Sequence, residues 1–497
     1  MSATRGAAGA ALGACTLAYL FCAEPLQAAC DFSPSPGNDD YRCDSGVAAA
    51  LVDPQGNNSL VLPAGGSGTI TGAVSFGAGA DRIEVASGRI GGAVSQGDGI
   101  DSFRMSGGQI QSLSQGDGFD DFVMSGGTIV GAFEGGDAVS ISGGSIGRVD
   151  IGLGANRFEM SGGRILANLV AGFDNDTLSI SGGSVGGNVS LSSGNDRLSL
   201  SGGDIGGQVL MGAGNDALLW LGGGTFHGGL QMAAGDDSVS VTAVPAEAFA
   251  IPPSLDGGPG RDSLLLEALS ATGGARYLNW ESIELRNGAR LDLDDSLVLG
   301  DSLSGQGQLR VDGGSFLTSA SGRIRAFTSG QPAMLVNAGT IDLTRSGERT
   351  DDSLTVLGDY RGETGRLLLQ AVLAGDGAPA DRLIVGQGRL DGSTAIVLSN
   401  LGGSGGLTRG DGILLVEANQ GASSSDQAFS LSQGLSVGAY QYYLFKGGLT
   451  AGTENSWYLR SSVAAPPPAP PEPPPPPLPP PPPEEPAPPP VPPEEPA

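Results

Sequence analysis

Acidic residues recur at nearly constant spacing in glycine-rich turns, and their type and spacing suggest metal chemistry. Five turns read Gly-x-Gly-x-Asp and end at Asp81, Asp101, Asp120, Asp216 and Asp262. Related copies carry Asp137, Asn156, Asp176, Asp196 and Asp237. Ca²⁺ takes six to eight oxygen ligands, and carboxylates stacked about 4.8 Å apart repel one another unless a cation lies between them. These turns therefore predict a calcium site.

The five turns resemble the calcium-binding repeats of RTX proteins, in which carbonyl and aspartate oxygens of stacked turns hold Ca²⁺. That resemblance implies a calcium role for the five aspartates. RTX turns recur every nine residues, whereas these recur about every twenty. A purely structural interpretation stays open, in which Asp and Asn cap tight turns and glycine supplies the positive φ.

The elements that must position these turns form a repeat of about 20 residues. Successive acidic positions from Asp81 to Asp262 are 17 to 25 residues apart, and apolar residues follow two and four positions later, as in Ile83 and Val85. Such alternation predicts a strand with one buried face. Two further apolar columns begin at Ile90 and Val94. Three short strands per repeat predict an all-β, right-handed parallel β-helix, with an antiparallel sandwich or propeller as the alternative.

Composition narrows the function classes. The chain has 497 residues, 86 of them Gly, and a net charge of −28. So much glycine disfavours helical and α/β enzyme folds, and the charge disfavours nucleic acid as a partner. The one histidine, His227, excludes any site that needs two imidazoles. The predicted fold requires no cofactor, and calcium is the one ligand the turns suggest.

The N-terminal segment predicts export. Residues 1–29 have a charged start at Arg5, an apolar stretch and small residues before Cys30, which is typical of a secretory signal peptide. A lipoprotein anchor on Cys30 is the alternative, although Gln27 stands where leucine is usual. After export, Cys30 and Cys43 would form a disulfide in an oxidising compartment.

The C-terminal part resembles a known family. Six blocks carry the likeness, and they run from Gly375-Asp376-Gly377-Ala378 to Trp457-Tyr458-Leu459-Arg460. Their order and spacing resemble the C-terminal passenger segment of pertactin-like autotransporters, where an autochaperone unit ends a β-helix. A solenoid end needs such a cover, and seven aromatic residues would supply it: Phe429, Tyr440, Tyr442, Tyr443, Phe445, Trp457 and Tyr458. An independent β domain is the alternative.

The resulting organisation has six parts. They are a signal peptide (1–29), an N-terminal cap (30–66), regular repeats (67–266), irregular coils (267–353), the pertactin-like cap (354–462) and a proline-rich linker (463–497). The linker would form a disordered, extended spacer. Family members continue into an outer-membrane β-barrel, so the resemblance implies that the translocator is a separate polypeptide or that this chain is truncated.

The predicted function is that of an adhesin or other surface-interaction protein without catalysis. It would be exported through the periplasm to the outer membrane or extracellular space of a Gram-negative bacterium, and its partner would be a component of a host cell or extracellular matrix. Arg409-Gly410-Asp411 is an integrin-type tripeptide and a candidate binding site, or else a structural turn. A β-helical polysaccharide hydrolase or lyase, and an RTX-like secreted calcium-binding protein, are the alternatives.

Overall fold

The computed structural model describes residues 30–461, so the predicted signal peptide and proline-rich linker lie outside the described residues. Between residues 30 and 461 the chain has 42 strands and one short helix, Ala246–Phe249. The strands of the first coils are Asp40–Arg42, Val47–Ala48, Leu51–Gln55, Ser59–Leu62, Thr69–Ile70 and Val74–Ala78.

The regular coils contain short strands separated by glycine-rich turns. These strands are Arg82–Val85, Arg89–Ser95, Ser102–Ser114, Asp121–Glu134, Ala138–Ile141, Ser145–Asp150, Arg157–Ile165, Leu169–Phe173, Thr177–Val185, Val189–Ser193, Arg197–Ile205, Val209–Leu210, Ala217–Leu221, Thr225–Phe226, Leu230–Gln231, Ser238–Thr242, Leu255–Asp256 and Ser263–Glu267.

Longer coils follow, and a terminal unit ends the described chain. The strands of the longer coils are Ser270–Thr272, Tyr277–Leu278, Ser282–Arg286, Arg290–Asp292, Ser296–Leu299, Gln308–Val311, Phe316–Thr318, Ser321–Ala326, Ala333–Asn337 and Thr340–Asp342. The last strands are Ser353–Ala371, Arg382–Asn400, Ile413–Asn419, Ser423–Ser424, Phe429–Leu431, Leu435–Val437, Tyr440–Lys446 and Trp457–Arg460.

Every coil pairs in parallel with the next, which makes the solenoid a parallel β-helix as predicted. Ile83 pairs with Phe103, Phe103 with Phe122, and Phe122 with Val139. The same column continues in register through Phe158, Leu178, Leu198, Leu218, Val239, Leu264, Ile283, Leu309, Leu335, Tyr360 and Leu390. No single coil can bury its own apolar face, so the stack supplies the core.

The predicted inward columns form that core. Residues of the Ile83, Ile90 and Val94 columns are at most 2% exposed in the regular coils. Aromatic rings pack inside the core: the Phe122 ring stacks on Phe103 of the preceding coil and on Phe133 of its own coil, with ring centroids 5.7 and 4.1 Å away. Burying each such side chain contributes about 2–3 kcal/mol.

Glycine is required where the backbones of adjacent turns touch. A Cβ on Gly118 would lie 1.5 Å from the carbonyl oxygen of Gly99, and one on Gly99 would lie 1.6 Å from that of Gly79. Gly118 also has a φ of 146°, which L side chains rarely adopt. The recurring glycines therefore follow from the close stacking of the turns.

Different caps close the two ends of the described chain. A disulfide joins Cys30 to Cys43, and Phe32 packs edge-on against Tyr41. At the other end the pairing turns antiparallel, because Trp457–Arg460 pairs with both Ile413–Asn419 and Tyr440–Lys446.

The aromatic cover of the C-terminal end is smaller than the sequence predicted. Phe429 stacks on Tyr360 at 5.6 Å and contacts Trp457 edge-on at 5.5 Å. Tyr442 and Tyr458 are also buried. The other three aromatic residues of the predicted cover are not buried: Tyr440 and Phe445 are half-buried and Tyr443 is exposed. Side chains alternate across the Tyr440–Lys446 strand, so only part of the set can face the core.

Candidate functional site

The repeated acidic residues form a hydrogen-bonded ladder inside the solenoid. In each rung, a backbone N–H donates to the side-chain oxygen of the residue one coil later. The N–H of Asp101 donates to Asp120 Oδ1 at 2.8 Å, for example. The same bond links Asn58 to Asp81, Asp81 to Asp101, Asp120 to Asp137, Asn156 to Asp176, Asp176 to Asp196, Asp196 to Asp216, Asp216 to Asp237 and Asp237 to Asp262.

The ladder side chains point inward. Asp81, Asp101, Asp120, Asp216 and Asp262 are each at most 1% exposed. Eight ladder aspartates have a buried Oδ2 for which the described chain offers no hydrogen-bond partner: Asp81, Asp101, Asp120, Asp176, Asp196, Asp216, Asp237 and Asp262. A buried polar atom without a partner is costly, so these oxygens need either a proton or a cation.

Burial raises the pKa of the ladder carboxyls. The backbone N–H groups that donate to these carboxyls lower their pKa, but burial is the larger effect. The pKa of Asp101 rises to about 7, with the carboxylates of Asp120 and Asp81 adding to the shift. Burial raises the pKa of Asp262 to about 8 and that of Asp120 to about 6. It raises the pKa of Asp216 to about 7. Near neutral pH the ladder is therefore a mixture of charged and neutral carboxyls.

The orphaned ladder oxygens fit one part of a calcium site. Carboxylate oxygens are the ligands that Ca²⁺ prefers, and adjacent turns also carry backbone carbonyls. Within residues 30–461, no three His, Cys, Asp or Glu side chains lie close enough together to hold one metal ion. Turn carbonyls would therefore have to complete the coordination, and calcium binding stays a prediction.

The candidate tripeptide lies in a tight turn of the C-terminal unit. The backbone N–H groups of Arg409 and Gly410 donate to Asp376, at 2.7 and 2.9 Å. Asp411 Oδ1 accepts the backbone N–H groups of Leu449 and Thr450. Burial of Asp411 opposes ionisation, but these N–H bonds prevail and lower the pKa of its carboxyl. The Asp411 carboxylate thus ties two loops together, and an adhesive role stays a prediction.

Sequence reasoning missed the inward direction of the ladder, although the signal was present. Asp101 lies two residues before Phe103, which is buried, and a period of two places both on the same face. The buried amides of Gln96 and Gln115 were also missed. Gln115 Nε2 donates to Gln96 Oε1 at 3.3 Å, so a polar pair lies within the core.

The fold, its terminal unit and a family comparison together define a class of protein. Residues 331–444 match the family described as Autochaperone Domain Type 1, and the match begins 23 residues before the predicted start of the cap at residue 354. A parallel β-helix that ends in such a unit is similar to the passenger part of an autotransporter. Passengers of this class are exported to the surface of Gram-negative bacteria.

Two relatives and one solved structure are similar to parts of this chain. This chain is 34% identical over 188 residues to the Adhesin BmaC autotransporter of Brucella suis biovar 1 (strain 1330). The alignment covers 36% of this chain and 5% of the relative. It is 44% identical over 117 residues to the Autotransporter adhesin AIDA-I of Escherichia coli, and this alignment covers 23% of this chain and 8% of the relative. The superposition on the Hap adhesin structure of Haemophilus influenzae covers 85% of this chain and 64% of that structure, at 12% identity and a TM-score of 0.30.

These matches cover small parts of the two relatives. The chain spans less than a tenth of either one, and the solved structure superposes too weakly to support an argument. The fold assignment accordingly depends on the parallel registers described above. Within residues 30–461, no helix has the length and apolar character that crossing a membrane requires.

Proposed function

We propose that this chain is a surface-displayed passenger that acts as an adhesin and not as an enzyme. The observation that carries the proposal is the continuous in-register solenoid joined to an autochaperone unit. The names of the relatives BmaC and AIDA-I support an adhesive role. The expected partner is a component of a host cell or extracellular matrix, and an outer-membrane β-barrel would carry the passenger across.

The placement of the titratable groups supports a non-catalytic role. The ladder carboxyls with raised pKa values are buried inside the coil, where a substrate cannot reach them. His227 lies on the surface with Nε2 2.8 Å from Asp204 Oδ1. General acid–base catalysis needs a group within reach of the substrate.

Display on a non-adherent bacterium tests this proposal. The chain would be fused to a translocator barrel, and adhesion to cultured epithelial cells and to matrix-coated wells would be measured against the barrel alone. Surface antibody labelling would establish equal display. We expect adhesion above the barrel control, and its absence from a properly displayed chain would overturn the proposal.

A second proposed role is calcium binding by the repeat. The observation in its favour is the set of eight buried carboxylate oxygens for which residues 30–461 offer no hydrogen-bond partner. Bound Ca²⁺ would remove the repulsion between rungs and would link folding to the calcium concentration outside the cell. A calcium titration tests this role and is described in the Discussion.

A further inference from the structure

One coil of the solenoid is shorter than its neighbours and leaves a notch. Asp120 and Asp137 are 17 residues apart, whereas Asp81 and Asp101 are 20 apart. The missing residues come from the glycine-rich turn, because Glu134 pairs with Ser114 and Gly135-Gly136 stands where the preceding coil has Gln115 to Phe119. The notch has a volume of about 380 Å³ and is lined by residues that include Asp117, Gly118, Glu134, Gly136, Asp137 and Leu153.

Apart from the hydroxyl of Ser114, the polar side chains that line this notch are carboxylates, which only accept hydrogen bonds. Asp117, Glu134 and Asp137 contribute carboxylates, and the described residues that line the notch include no Lys, Arg or His. Glu134 pairs with Arg148, which lies outside the lining. The chain as a whole carries a net charge of −28. The local and the global charge therefore both favour a cationic ligand.

Two apolar rims flank the notch along the solenoid axis. Ile100 and Phe119, 70% and 62% exposed, lie in adjacent coils because Gly99 and Gly118 pair in parallel. On the other side Leu153 and Phe173 are 71% and 60% exposed. They also lie in adjacent coils, since the strand Ser145–Asp150 pairs in parallel with Leu169–Phe173.

Large apolar side chains occupy these turn positions only beside the notch. From Ser193 to Asn215, the equivalent positions hold Ser193, Asn195, Ala213 and Asn215. The coils of Phe119 and Leu153 are two steps apart, which is about 10 Å. Contiguous exposed apolar side chains rimmed by polar groups are typical of interaction sites.

We propose that the notch binds a protein segment with an arginine or lysine side chain between apolar residues. The cation would donate to the notch acceptors, and the flanking apolar residues would cover the rims and exclude water. Guanidinium and ammonium groups carry five and three donors and no acceptor, which suits a lining whose charged side chains are all carboxylates. This inference depends on the proposed adhesive function, because it names the chemistry of the partner.

Peptide binding to the full chain tests the inference. The probe is the fluorescein-labelled peptide Leu-Gly-Arg-Gly-Leu, and its matched control carries citrulline, which is neutral, in place of arginine. We expect the arginine peptide to bind about tenfold more tightly than the citrulline peptide. High salt should weaken binding of the arginine peptide and leave binding of the citrulline peptide unchanged.

Substitutions locate the binding to the notch. Asp117→Asn and Leu153→Ser should each weaken the arginine peptide about fivefold to tenfold. Control variants remove the same groups elsewhere: Glu348→Gln on an exposed loop and Leu303→Ser, where Leu303 is 75% exposed. These controls should bind within about twofold of the parent chain. Thermal melting of all four variants checks that they fold.

Three results would overturn the inference. They are equal binding of the two peptides, equal weakening by the control variants, or a neutral oligosaccharide that binds through Asp117 and Leu153 where the peptide does not. Adhesion that persists in both notch variants would count against the notch and leave the adhesin proposal standing. Peptide binding that depends on the notch, in a chain that shows no cell adhesion, would support the notch and count against the adhesin proposal.

Discussion

Asp101 and Asp120 are linked across one coil by a hydrogen bond of 2.8 Å, in which the Asp101 backbone N–H donates to Asp120 Oδ1. The bond uses one carboxyl oxygen and leaves Oδ2 buried without a partner in the described chain. A neutral carboxyl is less costly there than a charged one. The ladder therefore couples the stability of the solenoid to pH.

Stability should fall as the pH rises from about 4 to about 8. Burial raises the folded pKa of Asp176 to about 7 and of Asp262 to about 8, whereas an unfolded aspartate titrates near 4. Between these values the folded state holds more protons at the ladder, so the ladder's contribution to the unfolding free energy decreases with pH. Melting temperature in EDTA measures the slope. A flat or rising profile over this window would contradict the prediction.

Replacing one ladder aspartate by asparagine should stabilise the protein at high pH. In Asp176→Asn the side-chain oxygen still accepts the Asn156 N–H, now 2.9 Å from Asp176 Oδ1, and no buried charge remains. We expect a gain of about 1–2 kcal/mol at pH 8 in EDTA and little gain at pH 5. Asp174→Asn, at an exposed position of the same turn, is the control and should stay within about 0.5 kcal/mol. Equal effects of the two variants would refute the explanation.

Calcium should raise the melting temperature if the orphaned ladder oxygens bind it. Millimolar Ca²⁺ would be added to the EDTA-treated, dialysed chain and followed by calorimetry, with Mg²⁺ as the matched cation. At a free Ca²⁺ concentration of 100 times Kd, one site stabilises the folded state by about 2.7 kcal/mol. Absence of both heat and a melting shift would remove the calcium role, while the pH prediction would stand.

Two phenylalanines three residues apart should lose very different amounts of stability when they are truncated. Phe122 is 0% exposed and stacks on both Phe103 and Phe133, so Phe122→Ala should cost about 3–5 kcal/mol. Phe119 is 62% exposed, and Phe119→Ala should cost less than about 0.5 kcal/mol. Guanidinium unfolding followed by far-UV circular dichroism measures both. Similar losses would contradict the inward column.

The candidate tripeptide can be tested by separating its charge from its structural contacts. Asp411→Ala should lower stability by about 1–3 kcal/mol, because the N–H groups of Leu449 and Thr450 lose their acceptor. Arg409→Ala removes an exposed side chain and should leave the melting temperature unchanged. Adhesion of displayed Arg409→Ala then decides the role. Loss of adhesion would support the integrin-type site, and normal adhesion would favour a structural turn.

Much of the fold could be predicted because the inward positions repeat. Ile83, Ile90 and Val94 each begin a column that recurs with every coil, and periodicity alone identifies such columns. The cap was harder to predict, because Tyr443 and Tyr442 are adjacent in sequence and differ only in which face of their strand they occupy. That choice depends on antiparallel pairing between Tyr440–Lys446 and Trp457–Arg460, which follows no repeat.

The candidate sites were harder to predict from sequence. A spacing rule finds Asp101 and Asp120, but the missing partner of Oδ2 depends on distances within the packed turn. The notch has a sequence signal in the 17-residue interval before Asp137. Its apolar rims include Phe119 and Leu153, which lie on opposite sides of that interval and flank one notch only after the coils stack.

The position-for-position match between neighbouring coils also bears on how such a molecule changes length. A second copy of residues 177–196 would pair with its parent on one side and with Arg197–Ile205 on the other, in the registers that the parent already uses. Each duplicated coil would lengthen the rod by about 4.8 Å. The length of the rod, and with it the distance that the chain spans beyond its cell, can thus change in steps of one coil while every side chain keeps the same kind of packing neighbours.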